Sequence, residues 1–431
     1  MTNFQPQPAT DFVVYDVLYG RFSLPSDQAK LILTPEVRRL SQIRLLNSLT
    51  PTISALGEVR RYSHTLGVLH LATQIRWLSS RGEDRMALAA AVLAHDIGTP
   101  PFGHVMEYHL MESKGWNHEA IIRRILLGTH VPENKAHQFF GGRTINFVNT
   151  LRDTGISVGK VLDIVSNMHP MSQLLFGSLD LDNLDNVARM ALFLGYQGCA
   201  GIALRIAERL EVNEQGRLVL PYEMLEDVEK WLRLRRAVYE TMLFDPLTMA
   251  SQAVLWDAIR IGFENGALTV DDAFLTDEQL LEELRQNPRT KDRIVLEYMG
   301  KPPNLAVCLQ VQGSLRDLGL QTRREAQIAI EAVLRDVFKT DVVLGYVQVD
   351  EGTLEKRLEF DTDQGRPWAV GNKSSSVVLY GFVRQSVQHS LCKRASSLLL
   401  DRLSVTPDRV MRNRVLGNGE YAQPVFDFSP A

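Results

Sequence analysis

The sequence predicts a mainly α fold, with a helical core over residues 1–300 and a smaller α+β lobe over residues 301–431. Three observations lead there. Along most of the first 300 residues, apolar side chains recur at three- and four-residue spacings between helix start and stop signals. Past Pro302-Pro303 the texture changes to short runs rich in β-branched residues around one helical stretch. A chain of 431 residues, 45% hydrophobic and 23% charged, has the ordinary composition of a globular protein and the length for a core with an appended lobe.

The elements follow in order. Residues 1–25, with Pro6, Pro8 and Pro25, read as irregular. Thr34-Pro35-Glu36 reads as a cap followed by proline at the first helical position. Val59 to Ser80 is a helix ending before Gly82, and Met86 to Ile97 is another, stopped by Gly98 and Pro100-Pro101. Gly103 to Ser113 is a third, and Asn117 caps a fourth that ends at Gly128. Leu181 to Leu194 ends at Gly195, and Pro221 to Glu240, Met249 to Asn265 and Thr276 to Gln286 continue the helical run. In the lobe, Ala306 to Gln312, Asp341 to Val349 and Ser376 to Val383 are strands. Arg323 to Phe338 and Gln385 to Leu403 are helices.

Charge and cysteine content narrow the function classes. A formal net charge of -4 carries no global nucleic-acid signal, although a local basic groove stays open. The 3 cysteines, Cys199, Cys308 and Cys392, are odd in number and far apart, which fits a reducing, cytoplasmic setting. The start has neither a basic region nor an apolar stretch of signal-peptide type. The longest apolar run, Met86 to Ala94, is too short to span a bilayer, so no membrane association is expected.

Eight of the 10 histidines lie between His64 and His137. His64 aligns with Val68, Leu71, Ile75 and Leu78 on one apolar helical stripe and therefore points inward. Alone it is more simply a buried histidine satisfied by a carbonyl. The next helix is apolar all round and so belongs in a core, yet it ends in His95-Asp96. A buried carboxylate is costly unless paired or bound to a metal. An Asp96–arginine ion pair is the plainer reading; with His64 as a third inward ligand, a metal floor is the stronger one. Asp182 offers a fourth ligand. It shares a helix face with Asp185, Asn186 and Arg189, opposite the apolar Leu181, Leu184, Ala188 and Ala191, but by itself a solvated acidic first turn is the commoner arrangement. Mixed nitrogen and oxygen ligands favour one first-row transition metal ion, with magnesium as a substitute, over calcium, and the lack of cysteine ligands argues against structural zinc.

His104 and Glu107 stand three apart on one helix face, where a carboxylate can orient an imidazole for acid/base work; a plain surface pair is the alternative. His118, just after Asn117, is suited to contact or protonate a phosphate, or is an exposed first-turn residue. Of the arginines nearby, Arg61 stands out because it neighbours His64.

The string Arg61-Tyr62-Ser63-His64-Thr65-Leu66-Gly67-Val68, then His95-Asp96-Ile97-Gly98-Thr99-Pro100-Pro101-Phe102-Gly103-His104, then Asp180-Leu181-Asp182-Asn183-Leu184-Asp185 with Arg189, resembles the HD superfamily of metal-dependent phosphohydrolases. Within it the similarity is to the deoxynucleoside triphosphate triphosphohydrolase branch, which holds the bacterial dGTPases and the vertebrate sterile-alpha-motif HD enzyme. Trp231 to Glu240 and Leu268 to Leu284 also resemble that branch, and the likeness runs from about Asp16 to at least residue 300. The resemblance implies an HD-type helical core and one divalent metal ion (Mn²⁺, Mg²⁺, Fe²⁺ or Zn²⁺) on His64, His95, Asp96 and Asp182. It implies His104 with Glu107 as acid/base pair, His118 as a further catalytic or phosphate-contacting residue, and Arg61 on a phosphate. The reaction implied is attack of water on the α-phosphorus of a nucleotide substrate, releasing nucleoside and inorganic triphosphate. A homo-oligomer, dimer or higher, is implied too, with nucleotide effectors in some members.

The substrate shell departs from that pattern. Thr99 stands where the vertebrate type has histidine, Asn183 where it has a phosphate-contacting lysine, and Asn186 and Met190 where a tyrosine and an aspartate read the sugar. Leu45 aligns with a sugar-side glutamine. Asn183 and Asn186 are accordingly the candidates for the phosphate and substrate shell. Asp16 matches one position of the effector motif, and its surroundings do not match the rest. An altered shell keeps a second reading open: an HD-type nucleotide phosphatase, phosphodiesterase or single-strand nuclease.

Overall fold

The computed structural model describes residues 12–115, 117–128, 146–352, 354–372 and 374–414. His130 and His137, two of the clustered histidines, lie outside these residues, as do residues 1–11 and 415–431.

The fold is mainly α, with a smaller sheet-containing C-terminal region. The helical body is built around Arg61–Gln74, Gly82–Ala94, Leu181–Phe193, Cys199–Arg209, Leu225–Phe244 and Pro246–Glu264. Every residue from Ala87 to Ala94 is buried, so the all-apolar segment sits in the core. Its alanines allow neighbouring helices to pack closely.

Several elements start or stop away from the sequence expectation, and three differences bear on the site. The first helix stops at Gln74 and not at Ser80. Ile75 turns extended (ψ 111°) and a 3-10 turn, Arg76–Leu78, follows. Ile75 and Leu78 stay buried, so the tighter turn keeps both on the core side. The second helix ends at Ala94, which puts His95-Asp96 in the turn beyond it. Residues read as irregular before Pro25 contain an antiparallel hairpin, Phe12–Asp16 with Gly20–Leu24. Asp16 makes its bend, accepting hydrogen bonds from the backbone of Leu18 (2.9 Å) and Tyr19 (3.0 Å).

The C-terminal region carries an antiparallel sheet ordered Val410–Asn413, Asn304–Gln312, Ser375–Val383, Val343–Glu351. Both faces are apolar. Val307, Leu309, Val347, Val377 and Leu379 pack under the helices Arg323–Phe338 and His389–Arg402. Cys308, Leu344, Tyr346, Tyr380 and Phe382 face the other way and join the main core. Apolar packing therefore crosses residue 300. Polar contacts do too: Tyr380 donates to the Leu243 carbonyl (2.6 Å), and Arg384 pairs with Glu297. A second four-stranded sheet mixes Glu211–Val212 and Leu218–Leu220 of the helical body with Leu358–Thr362 and Pro367–Val370.

Candidate metal centre and active-site cavity

His64 leaves the first turn of its helix, His95 and Asp96 the turn after Ala94, and Asp182 the first turn of Leu181–Phe193. Successive residues on a helix diverge by about 100°. Leaving the helix at His95 lets that residue and Asp96 face one point. Donor atoms of His64, His95 and Asp96, all three buried, lie within 4.8 Å of one another. Asp182 Oδ1 lies 2.7 Å from His64 Nε2 and 3.6 Å from His95 Nε2.

The donor set fits a divalent cation. His95 Nδ1 is 2.5 Å from the Val92 carbonyl, which commits its proton there and turns the lone pair of Nε2 toward the cluster. That Nε2 is buried and has no hydrogen-bond partner. A buried orphan lone pair beside two carboxylates is what a metal ligand requires.

Behind His64 stands a buried chain of charges. His64 Nδ1 is 2.7 Å from Asp185 Oδ2. Arg189 donates to Asp185 at 2.9 and 3.0 Å and to Asp16 at 2.9 Å. Asp185 and Arg189 are fully buried. Gly67 makes room for them, since a Cβ there would fall 2.0 Å from Asp185 Oδ1 and 2.3 Å from Arg189 Nη2. A carboxylate behind a ligating imidazole fixes its tautomer and raises its basicity.

The charges respond as their surroundings dictate. Burial works against a proton on His64, but hydrogen bonds to Asp182 and Asp185 raise it to about 10. Burial likewise opposes ionisation of Asp96, which Arg61 and then His95 hold well below the usual carboxylate range. Asp182 is lowered by His64 and His95 against the same opposition. A divalent cation would compete with protons for these groups.

Arg61 is on Asp96, donating to its two oxygens at 2.9 and 3.1 Å. The ion-pair reading of Asp96 and its place in the cluster therefore coexist. Thr99 donates to Asp96 as well, at 2.8 Å.

Glu107 bridges two histidines. Its Oε2 is 2.9 Å from His104 Nδ1, and its Oε1 is 2.5 Å from His118 Nδ1 and 3.0 Å from the His118 backbone nitrogen. Both rings are left with Nε2 free of Glu107. Burial opposes the charge on His118, and Glu107 more than restores it, so its pKa is raised. Glu107 itself, despite burial, is held far below its usual range by His104 and His118. Gly98, in the turn after Ala94, lets the helix that opens at His118 come close: a Cβ there would lie 2.6 Å from the His118 carbonyl.

The metal-cluster residues and the Glu107-bridged histidines open onto one cavity of about 670 Å³, and the Asp185–Arg189 chain stays behind its wall. His64, His95, Asp96, Asp182, Arg61, His104, Glu107, His118 and Asn186 line it. Asn183 does not; its amide is turned back onto both oxygens of Asp180 at 3.0 Å. The reason is local: Asp180 caps this helix, and Asn183 sits over the cap. Asn186 Oδ1 is buried without a hydrogen-bond partner.

The sequence reading missed part of the wall and its supports. Tyr239, Arg235, Gln252, Arg323 and Gln348 also line the cavity; the last two come from the C-terminal region, where no motif marks them. Two buried supports hold the 99–103 loop. Asp277 accepts from the Phe102 backbone at 2.9 Å, and Arg39 donates to the carbonyls of Thr99, Phe274, Ala273 and Leu275. Phe102 itself is left-handed (φ +53°), a conformation that needs such anchoring.

Residues 61–190 match the HD domain family. The uncharacterised protein YwfO of Bacillus subtilis is 26% identical over 236 residues, 52% of this chain and 49% of that protein, so the match spans about half the relative's length. A phosphohydrolase from Bacteroides thetaiotaomicron superposes with a TM-score of 0.61 at 17% identity, covering 87% of this chain and 100% of its own. A hypothetical protein from Aquifex aeolicus does so at 0.64 and 16% identity, covering 90% and 100%. Both matches extend well beyond residues 61–190. The stretch that matches the HD domain family, residues 61–190, is set within a longer mainly α fold that this chain shares with both solved structures.

Proposed function

We propose that the chain is a metal-dependent phosphohydrolase that cleaves nucleoside triphosphates, deoxynucleotides favoured, to nucleoside and inorganic triphosphate. One observation carries this reading: a His–His–Asp cluster with Asp182 beside it shares a single cavity with the Glu107-bridged pair His104 and His118. A divalent cation on His64, His95, Asp96 and Asp182 supplies Lewis acidity and orientation when bound. Asp185 and Arg189 hold His64 in place. His118, kept charged by Glu107, offers a proton and positive charge to the phosphoryl oxygens from Nε2. His104, the more exposed of the pair, exchanges the water proton. Arg61 fixes Asp96 and presents its remaining edge to the substrate. A cavity of about 670 Å³ is of the size that holds a nucleotide-like ligand.

A second reading rests on the far wall. Leu45, Asn186 and Met190 line the cavity, and Asn183 is withdrawn from it. That wall lacks the sugar and phosphate contacts that the resemblance implies, which favours a nucleoside monophosphate or phosphodiester substrate. Chromatography of the phosphate products after incubation with Mn²⁺ and each dNTP and NTP separates the two. Inorganic triphosphate with free nucleoside supports the first reading. Turnover of monophosphates or short oligonucleotides alone supports the second.

A further inference from the structure

The C-terminal region forms one side of the cavity. Arg323, Gln348 and Val349 line it together with His64 and Asp96. Arg323 opens the Arg323–Phe338 helix, and its guanidinium carbon lies 3.7 Å from the centroid of the Tyr108 ring. Tyr108 stacks on His104, at 6.2 Å and 27° between planes. The guanidinium is therefore two ring contacts from the His104–Glu107 pair.

Its hydrogen-bonding capacity is incompletely used. Arg323 Nε is buried without a hydrogen-bond partner, and among the described residues no carboxylate forms an ion pair with it. Glu112 feels its charge, but burial outweighs Arg323 there and the Glu112 carboxyl is raised. A desolvated Nε–H with no partner costs free energy that an incoming acceptor would recover. Stacking on Tyr108 covers the face of the guanidinium and leaves its N–H edge, the part that forks onto phosphate oxygens. Amides lie alongside: Gln252 donates to the Tyr346 hydroxyl at 2.7 Å, that hydroxyl is 3.4 Å from Gln348 Oε1, and both glutamines line the cavity.

We propose that Arg323 binds the phosphate groups of the substrate beyond the one that is attacked, so that the C-terminal region reads the length of a polyphosphate chain. This rests on the triphosphate reading above. The two can fail separately, because binding of inorganic triphosphate is measured without turnover.

The experiment is calorimetric titration of the full-length Mn²⁺-loaded protein with inorganic triphosphate and with inorganic monophosphate, in wild type, Arg323→Gln and Arg323→Lys. Loss of a charged hydrogen-bonding group lowers triphosphate affinity about tenfold or more in Arg323→Gln. Monophosphate affinity and metal content stay at wild-type values. Arg323→Lys keeps the charge without the fork and falls between. Equal triphosphate affinity in all three proteins overturns the proposal, as does an equal loss for both anions. No triphosphate binding by the wild type also overturns it. If triphosphate binds through Arg323 but no nucleotide releases it, the substrate assignment fails and the site stands.

Discussion

Glu107 Oε1 lies 2.5 Å from His118 Nδ1, so a carboxylate on the helix His104–Lys114 sets the ring that opens the next helix, His118–Leu127. The same carboxylate holds His104 with its other oxygen. One acid thereby aims two imidazoles into one cavity, and the charge that keeps His118 protonated is its own.

Glu107→Gln removes that charge while keeping the shape. His118 then loses the interaction that raises it, with Asp96 still favouring its charge and Arg61 opposing it. Activity that needs charged His118 is lost as pH rises through the His118 pKa. The alkaline limb of the pH–rate profile should move to lower pH in the variant, and the rate should fall by about a hundredfold or more. An unmoved alkaline limb would remove His118 from the chemistry.

His104→Ala should leave metal content at the wild-type level and slow turnover by roughly a hundredfold. Metal analysis beside steady-state rates checks this. Loss of the metal on substitution would mean that ligands and proton-transfer groups have been divided wrongly.

Asp185 touches no substrate and no open solvent, yet Asp185→Asn should weaken metal binding about ten- to hundredfold, because His64 loses the partner that fixes its tautomer. Competition with a chelator of known affinity measures it. Gly67→Ala acts on the same group by crowding: its Cβ would sit 2.0 Å from Asp185 Oδ1. It should destabilise the fold by about 3 kcal/mol, seen in denaturant unfolding. Wild-type stability in Gly67→Ala would show that the chain of charges is free to shift.

His109 supplies a pH dependence of stability apart from the metal. Burial pushes its pKa down to about 4, with its ring against Trp256 and Nε2 3.0 Å from the Trp256 carbonyl. The unfolded chain takes up a proton near pH 6.5 while the folded chain resists until about 4. Stability is therefore lost as pH falls through that window, on the order of 3 kcal/mol for this residue. Melting temperatures between pH 7 and 4.5 should fall less steeply in His109→Gln than in the wild type; parallel curves would assign the acid sensitivity elsewhere.

Much of this site is legible in the sequence, for identifiable reasons. An apolar stripe through His64 and an all-apolar helix running into His95-Asp96 can only be buried, and buried ligand-type residues announce themselves by their cost. Asn117 and Gly128 marked helix ends by cap chemistry that the structure reproduces, with Asn117 accepting from Ala120. What stayed hidden depends on contacts distant in sequence. Arg39 and Asp277 are separated by more than two hundred residues and meet only around the 99–103 loop. Asn183 looked like a substrate contact by position, and a neighbour three residues away took its amide. The hairpin before Pro25 is two five-residue strands, too short for alternation to stand out, and its bend is made by a side chain, Asp16, that also serves Arg189.

The most direct test joins metal to turnover. Protein stripped with a chelator would be titrated with Mn²⁺ while phosphate products from nucleoside triphosphates are followed, for wild type and Asp96→Ala. The expected result is turnover rising in step with binding at the His64–His95–Asp96–Asp182 site, with neither metal retention nor turnover in Asp96→Ala. Full hydrolysis by the stripped protein, or by Asp96→Ala, would contradict the assignment of this cluster as the metal centre of a phosphohydrolase.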